Sequence, residues 1–269
     1  MNPLNEIQRA SRDQFEKRSA SYGKSHILAD VSDVEDALAG VEWHDQARAL
    51  DVATGGGHTA ACLAARGLIV TACDVSPAMV ESAKRLAIER GLEIEGAVHS
   101  AEELPYPDSS FAVVACRVAA HHFSDPSAFV REAGRVLEPG GWFILIDGSV
   151  PDDSPGVEDW LHKVEKLRDP SHGRFLSPAG WRGLVVKAGL IVEDVVTRPL
   201  KQPDLEWYFE TAATPSENRK EVIELVRTAP AGVIRSLGLA REVGKIVWWW
   251  PRITLRARKP VTDCIGHRS

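Results

Sequence analysis

The segment Ala49-Leu50-Asp51-Val52-Ala53-Thr54-Gly55-Gly56-Gly57-His58-Thr59-Ala60 constrains this chain more than any other. A short apolar run meets an acid, enters three glycines and continues in small residues with helical spacing. Lacking a Cβ, glycine lets such a loop turn tightly and bring backbone N–H groups close to a ligand. Roughly twenty residues further on, a second apolar run, Leu68-Ile69-Val70-Thr71-Ala72-Cys73, ends on another acid, Asp74. Two strand-end carboxylates around a glycine bend suit a nucleoside whose ribose hydroxyls and positive charge need acceptors.

The rest of the chain narrows the field by exclusion. At 269 residues it is long enough for one large core, or for a core with a smaller covering element. A net charge of −6 leaves no electrostatic footprint for a polyanion, so no nucleic-acid partner is expected. The cysteines Cys62, Cys73, Cys116 and Cys264 lie far apart and form no C-x-x-C pair. A disulfide or zinc framework is therefore not expected, and a cytoplasmic location fits. The start, Met1-Asn2-Pro3-Leu4-Asn5-Glu6, lacks the apolar stretch of a signal peptide, and no apolar run reaches membrane-span length.

Alternating patterns predict strands at 47–52, 68–73, 93–98, 111–116 and 142–147, with helices at 58–66, 77–90 and 125–137. Ser76-Pro77 and Asp125-Pro126 are helix starts, a capping side chain followed by proline at the first helical position. Gly91 and Gly140 stand where helix ends favour a left-handed residue. Units of this length imply an α/β fold, a mostly parallel sheet with helices on both faces. Residues 5–40 read as helical, broken near Tyr22-Gly23. Residues 150–178 read as a long connection with a short helix near 157–167. A helix opening at Ser177-Pro178, a strand at 190–197 and a mainly helical stretch at 203–245 follow. Arg252-Ile253-Thr254-Leu255-Arg256-Ala257-Arg258 alternates with period two, as a half-buried strand does. Its basic, Trp-rich approach, 245–251, reads as entry to that strand rather than as a membrane or nucleic-acid patch. The tail from Pro260 is expected to be disordered.

Gly55-x-Gly57-x-x-Ala60 followed by Asp74 also satisfies the dinucleotide fingerprint, which leaves an NAD(P)-dependent oxidoreductase as an alternative. Position favours another ligand. An acid at Asp51, just ahead of the glycines, repels a diphosphate but attracts an ammonium near a sulfonium. S-adenosylmethionine carries both cations and no phosphate.

At this point the chain resembles class I S-adenosylmethionine-dependent methyltransferases, especially the branch that methylates quinone rings in ubiquinone and menaquinone biosynthesis. The matching blocks are Leu50 to Gly57, Asp74-Val75-Ser76-Pro77-Ala78-Met79, Ala101-Glu102-Glu103-Leu104-Pro105-Tyr106, Ser110-Phe111-Ala112-Val113-Val114 and Arg135-Val136-Leu137-Glu138-Pro139-Gly140-Gly141. The resemblance implies a Rossmann-like sheet with an antiparallel last strand and helical lid elements. It implies that Asp51 and the backbone of Ala53, Thr54, Gly55 and Gly57 hold the methionine part of the cofactor. Asp74 would accept the ribose hydroxyls, Val75 and Met79 would pack on the adenine, and Ala101 and Glu102 would line its edge. Arg117 would face cofactor and acceptor. Two departures stand out: Ala53 replaces the usual first glycine, and Ser100 replaces an acid that reads the adenine amino group.

The expected domain plan is an N-terminal helical lid over 1–40, a cofactor-binding core over 41–200 and a helical insert over 201–245. A final core strand at 246–259 and a tail at 260–269 complete it. The segment Arg117-Val118-Ala119-Ala120-His121-His122-Phe123 follows the fourth predicted strand and should point at the transferred methyl group. His121 and His122 are candidate bases for an acidic O–H or activated carbon, His121 slightly preferred. Tyr22, His26, His121 and His172 are candidate acceptor contacts. No metal is expected, because His162, Asp169 and His172, though close in sequence, match no usual ligand spacing. The expected activity is methyl transfer, on oxygen or carbon, to a small-molecule acceptor, which the resemblance makes aromatic or quinoid. A protein that binds S-adenosylmethionine without transferring methyl groups is the remaining alternative. Monomer and homodimer are both open.

Overall fold

The computed structural model describes residues 4–16, 26–242 and 244–261, with backbone only at His26, Ile27 and Pro155. Helices α1 (Glu6–Glu16), α2 (His26–Ala29) and α3 (Ser32–Ala37) lead into strand β1 (Arg48–Val52). Then follow α4 (His58–Ala65), β2 (Ile69–Asp74), α5 (Pro77–Glu89), β3 (Glu95–Val98), β4 (Phe111–Arg117), α6 (Pro126–Val136) and β5 (Leu137–Gly148). The second half has α7 (Pro155–Arg168), α8 (Pro178–Lys187), β6 (Ile191–Gln202), α9 (Leu205–Ala212), α10 (Ser216–Arg227), α11 (Ala231–Leu237), β7 (Ala240–Glu242) and β8 (Lys245–Arg258).

The sheet order is β3-β2-β1-β4-β5-β8-β6, with β7 paired to β8. The first five strands run parallel, and β8 is antiparallel to both β5 and β6. The α/β class, the mostly parallel sheet and the antiparallel last strand thus hold. The order reverses at β1, where β2 lies on one side and β4 on the other. At such a point the loops leaving adjacent strands diverge and open a crevice beyond the strand ends.

Local chemistry places the elements. The interior strands carry near-continuous apolar runs because both sheet faces are covered. One face packs Leu50, Val52, Phe111, Phe129, Phe143 and Leu145, and the other packs Ala49, Leu63, Val70, Val113 and Ile144. Ser76 Oγ accepts from Met79 N–H and Asp125 Oδ1 from Ala128 N–H, so both predicted starts are genuine caps. Gly140 is left-handed, but inside β5, where the register against β4 shifts, and not at a helix end. Helix α6 ends instead by passing directly into β5 at Leu137.

The irregular second half is more structured than its composition suggests. The short helix near 157–167 is the 14-residue α7. The last strand starts at Lys245, so the tryptophans belong to the sheet, with Trp248 buried. Helices α7, α9, α10 and α11 bury a third cluster, including Trp160, Leu161, Tyr208, Phe209, Val226 and Leu237. The aromatic run Trp207-Tyr208-Phe209 therefore packs into this cluster. The tail expected to be disordered lies largely outside the described residues.

Candidate active site

A cleft of about 900 Å³, partly open to solvent, lies over the ends of β1, β2 and β4. Its floor is the glycine loop. The chain turns left-handed at Ala53, Gly55 and Gly57, and the last of these leads into α4. A Cβ at Gly57 would lie 2.5 Å from Ala83 Cα, so the loop is pressed against α5 where only glycine fits. Ala53, Thr54, Gly55 and Gly56 line the cleft, as do His58 and Thr59.

The two strand-end acids occupy different places. Asp74 is in the cleft wall; its Oδ1 accepts from Ser76 N–H at 2.9 Å and its Oδ2 from Gly55 N–H at 3.1 Å. Burial pushes its carboxyl up to about 6, although the backbone donors pull the other way. Asp51 is buried behind the loop, where Thr54 Oγ1 donates to its Oδ2 at 2.6 Å. Burial raises it to about 7. Asp51 does not line the cleft; it braces the bend through Thr54.

Val75, Met79, Ser100, Ala101 and Glu102 line the same end of the cleft. Ser100 Oγ is engaged by Gln8 Nε2 at 3.0 Å and by Glu102 N–H at 3.2 Å. Glu102 accepts from Ser124 N–H at 2.7 Å, from Asp125 N–H at 3.0 Å and from Gln8. Helix α1 spans the cleft with Gln8, Ser11 and Phe15 facing in, residues that share one helical face. Sequence reading missed these three, since two of them are polar and no local pattern shows what the helix covers.

Arg117 lines the cleft but is committed elsewhere. Its Nε donates to Asp33, and its terminal nitrogens donate to the Leu28 and Asp30 carbonyls. Arg252 donates to the same Asp33 carboxylate at 3.0 Å. These bonds hold α2 and α3 beside the strand ends. Tyr22 lies outside the described residues, and of His26 only the backbone is described.

The opposite end of the cleft carries the histidines, on a 3-10 turn at Ala120–His122 just past β4. His122 lines the cleft, and the Phe15 ring meets it edge-on at 4.9 Å. His121 is turned away from it. Its Nδ1–H donates to Asp147 Oδ1 at 2.6 Å, while Asp147 Oδ2 accepts from His121 N–H at 2.8 Å. Burial alone would lower His121; the Asp147 carboxylate outweighs it and raises the imidazole above its ordinary value. His172 is buried beside His121, ring centroids 5.5 Å apart, and burial holds its imidazole far down. Its Nε2 has no hydrogen-bond partner. His121, His122 and His172 come together, whereas His162 is exposed and 5.7 Å from His172. Among the described residues no group of three or more His, Cys, Asp or Glu side chains is arranged to hold a metal ion.

Asp147 is the functional candidate that sequence reading passed over. Its signal was available: Phe143-Ile144-Leu145-Ile146 ends on Asp147 and then Gly148, repeating the apolar-run-then-acid pattern of Asp51 and Asp74. Its partner's identity was not available, because 26 residues separate it from His121.

A parallel sheet in this order, an antiparallel β8 beside β5, and a glycine-floored cleft with an acid at the tip of β2 define the class I methyltransferase architecture. Comparison agrees. Residues 50–145 match the methyltransferase domain family model. The uncharacterized methyltransferase YcgJ of Bacillus subtilis is 33% identical over 210 residues, 78% of this chain and 82% of that one. The YcgJ crystal structure superposes with a TM-score of 0.80 at 29% identity, covering 86% of this chain and 99% of that one. A ubiquinone biosynthesis O-methyltransferase of Xanthomonas axonopodis is 31% identical over 157 residues, 55% of this chain and 64% of its own length. The chain belongs to the S-adenosylmethionine-dependent methyltransferase family. That membership sets aside the nicotinamide-dependent oxidoreductase alternative.

Proposed function

We propose that this enzyme methylates a small aromatic or quinoid acceptor, on oxygen or carbon, with S-adenosylmethionine seated in the cleft over β1, β2 and β4. The observation that carries the reading is the cleft's charge. Its loop end presents the Asp74 carboxylate, and Arg117, the arginine lining it, is bonded to Asp33 and two carbonyls. Such a wall suits a cationic nucleoside and repels a diphosphate. Ser11 Oγ adds a buried polar atom in the wall without a partner, as expected where a polar ligand completes the bonding.

In this reading Asp74 accepts the ribose hydroxyls, and Val75 and Met79 pack on the adenine, with Ser100, Ala101 and Glu102 along its edge. The main chain of Ala53, Thr54, Gly55 and Gly57 takes the methionine part, with Asp51 supporting it from behind. When bound, the cofactor supplies an electrophilic methyl group on a sulfonium. The protein's own residues align the acceptor and exclude water, and alignment alone offers effective molarities of ~10⁵ M or more. Of the histidines proposed from the sequence, His122 lines the cleft and can move a proton there, whereas His121 and His172 stand behind its wall; Tyr22 and His26 are the further candidates for contacting the acceptor. Residues 1–40 and 201–245 act as covers over the 41–200 core, closed by the 246–259 strand. The free, buried Cys62, Cys73 and Cys116 suit a reducing, cytoplasmic setting.

Calorimetry tests the reading. S-adenosylhomocysteine should bind and NADH should not. Asp74→Ala should weaken S-adenosylhomocysteine by about 2 kcal/mol, the scale of hydrogen bonds to a charged group. Unchanged affinity would place the ribose elsewhere. Release of S-adenosylhomocysteine in the presence of a catechol or hydroquinone separates catalysis from mere cofactor binding.

A further inference from the structure

The adjacent histidines have separate tasks if the cleft transfers methyl groups, the reading on which their assignment rests. We propose that His122 is the base facing the acceptor, with Nε2 as the proton-accepting atom, and that His121 and Asp147 form a positioning pair behind it.

Position comes first. Of the two rings, His122 is in the cleft wall, against Phe15 and beside Val118 and Phe123. This is the end of the cleft away from Asp74, where an acceptor would approach the methyl group. His121 points into the protein toward Asp147, Phe175 and His172.

Hydrogen bonding then selects the tautomer. Ser171 Oγ donates its single proton to Asp169 Oδ1 at 2.6 Å. The same oxygen lies 3.2 Å from His122 Nδ1, and the Ser171 carbonyl lies 3.1 Å from it. Both neighbours can only accept, so Nδ1 must carry the hydrogen. Neutral imidazole has one N–H, so Nε2 is left with a lone pair. Burial, and next the neighbouring His121, hold the His122 imidazole down to about 4, which keeps it unprotonated at neutral pH. A weak base is sufficient here, because an acceptor O–H grows far more acidic as its oxygen gains a methyl group.

The surroundings are built to keep this arrangement. Gly173 and Arg174 donate their N–H groups to the His121 carbonyl at 2.8 and 3.0 Å. A Cβ on Gly173 would lie 2.7 Å from that oxygen, so the loop after α7 can dock this closely only through glycine. Asp147 holds the turn from the other side through both the backbone and the ring of His121. Its role is therefore to fix where the turn, and with it His122, stands.

The step balances simply. The acceptor O–H proton passes to Nε2, and the acceptor oxygen forms its bond to the methyl carbon. The carbon–sulfur bond breaks with its electron pair left on sulfur, and His122 returns its proton to water. The titratable groups facing His122 are His121 on its own turn, Asp147 at the end of β5, and Asp169 and His172 in the loop after α7.

The test uses the full chain with ¹⁵N-labelled histidine, alone and saturated with S-adenosylhomocysteine. In wild type, His122 should be neutral and carry its hydrogen on Nδ1 near neutral pH. Ser171→Ala keeps the backbone carbonyl that accepts from Nδ1, so it should leave the hydrogen on Nδ1. Asp147→Asn should weaken proton binding at His121 and so raise the pH at which His122 takes up a proton while its hydrogen stays on Nδ1; loosened packing would relieve burial too, but would free the ring from Ser171 and mix the tautomers. His122 hydrogenated on Nε2, or protonated at neutral pH, overturns the assignment. Across a panel of catechols and hydroquinones, His122→Gln should lower kcat by ~10²-fold or more while leaving S-adenosylhomocysteine affinity unchanged. Wild-type kcat in that variant overturns the base role. A folded wild type that fails to bind S-adenosylhomocysteine instead overturns the cofactor reading and leaves the tautomer result standing.

Discussion

At the scale of single residues, backbone strain marks two corners of the cleft. Ala53 has φ +55° and Val118 has φ +53°. Residues with a Cβ rarely occupy this region, and a β-branched one is a clear outlier there. The first follows β1 and the second follows β4, so both strands leave the sheet by a left-handed turn at the crevice. Replacing Ala53 with glycine should remove a penalty of about 1 kcal/mol and raise the thermal midpoint of the free protein. An unchanged or lower midpoint would show that the alanine methyl contributes packing of equal worth.

At the scale of elements, α1 is tied to the core by a few polar bonds and little apolar surface, whereas α3 buries Val34 and Ala37 in the core. Helix α1 is fastened by Asn5 to Ser124 at 2.7 Å and by Gln8 to Ser100 and Glu102. Its buried described residue is Ser11. An element held this way opens at low cost, which suits a cover that must admit a ligand. Removing residues 1–25 should therefore leave the thermal midpoint almost unchanged. It should also weaken S-adenosylhomocysteine by about tenfold, the equivalent of one or two lost hydrogen bonds. Wild-type affinity and kinetics in the truncated chain would contradict a covering role. Helices α7, α9, α10 and α11 are different, because they bury their own apolar cluster and fasten it with Arg168 and with Tyr208 bonded to Glu165. They form one packed unit.

At the scale of the whole molecule, the buried acids impose a pH dependence on folding. Asp51 and Asp74 sit at about 7 and about 6, against an unfolded value of 3.8. Between those values the folded chain holds more protons than the unfolded one, so stability falls as pH rises. Their contribution is complete below the unfolded value and lost by the time pH passes the folded ones. Chemical denaturation of the free protein across this window should show that slope, and Asp51→Asn should flatten it whatever its absolute stability. A parallel slope in the variant would mean that Asp51 is ionised in the folded protein throughout.

The same scale separates what could be read along the chain from what required folding. The α/β class, the parallel strands, the capped starts of α5 and α6, and the glycine bend with Asp74 were all legible. Each depends on periodicity or capping within a few residues. The length of α7, the place of the tryptophans in β8 and the bulge at Gly140 were not, because neighbours distant in sequence decide them. The site divides in the same way. Sequence alone determined that a cationic nucleoside suits the bend and that His121 and His122 lie beyond β4. Only the tertiary structure decided that Asp51 stands behind the loop, that Arg117 is spent on Asp33, and that His122 rather than His121 meets the cleft. The last of these depends on Asp147 and Ser171, 26 and 49 residues away from the histidines they bond. Hydrogen bonds across such separations leave no local pattern, since they exist only once the sheet has brought the strand ends together.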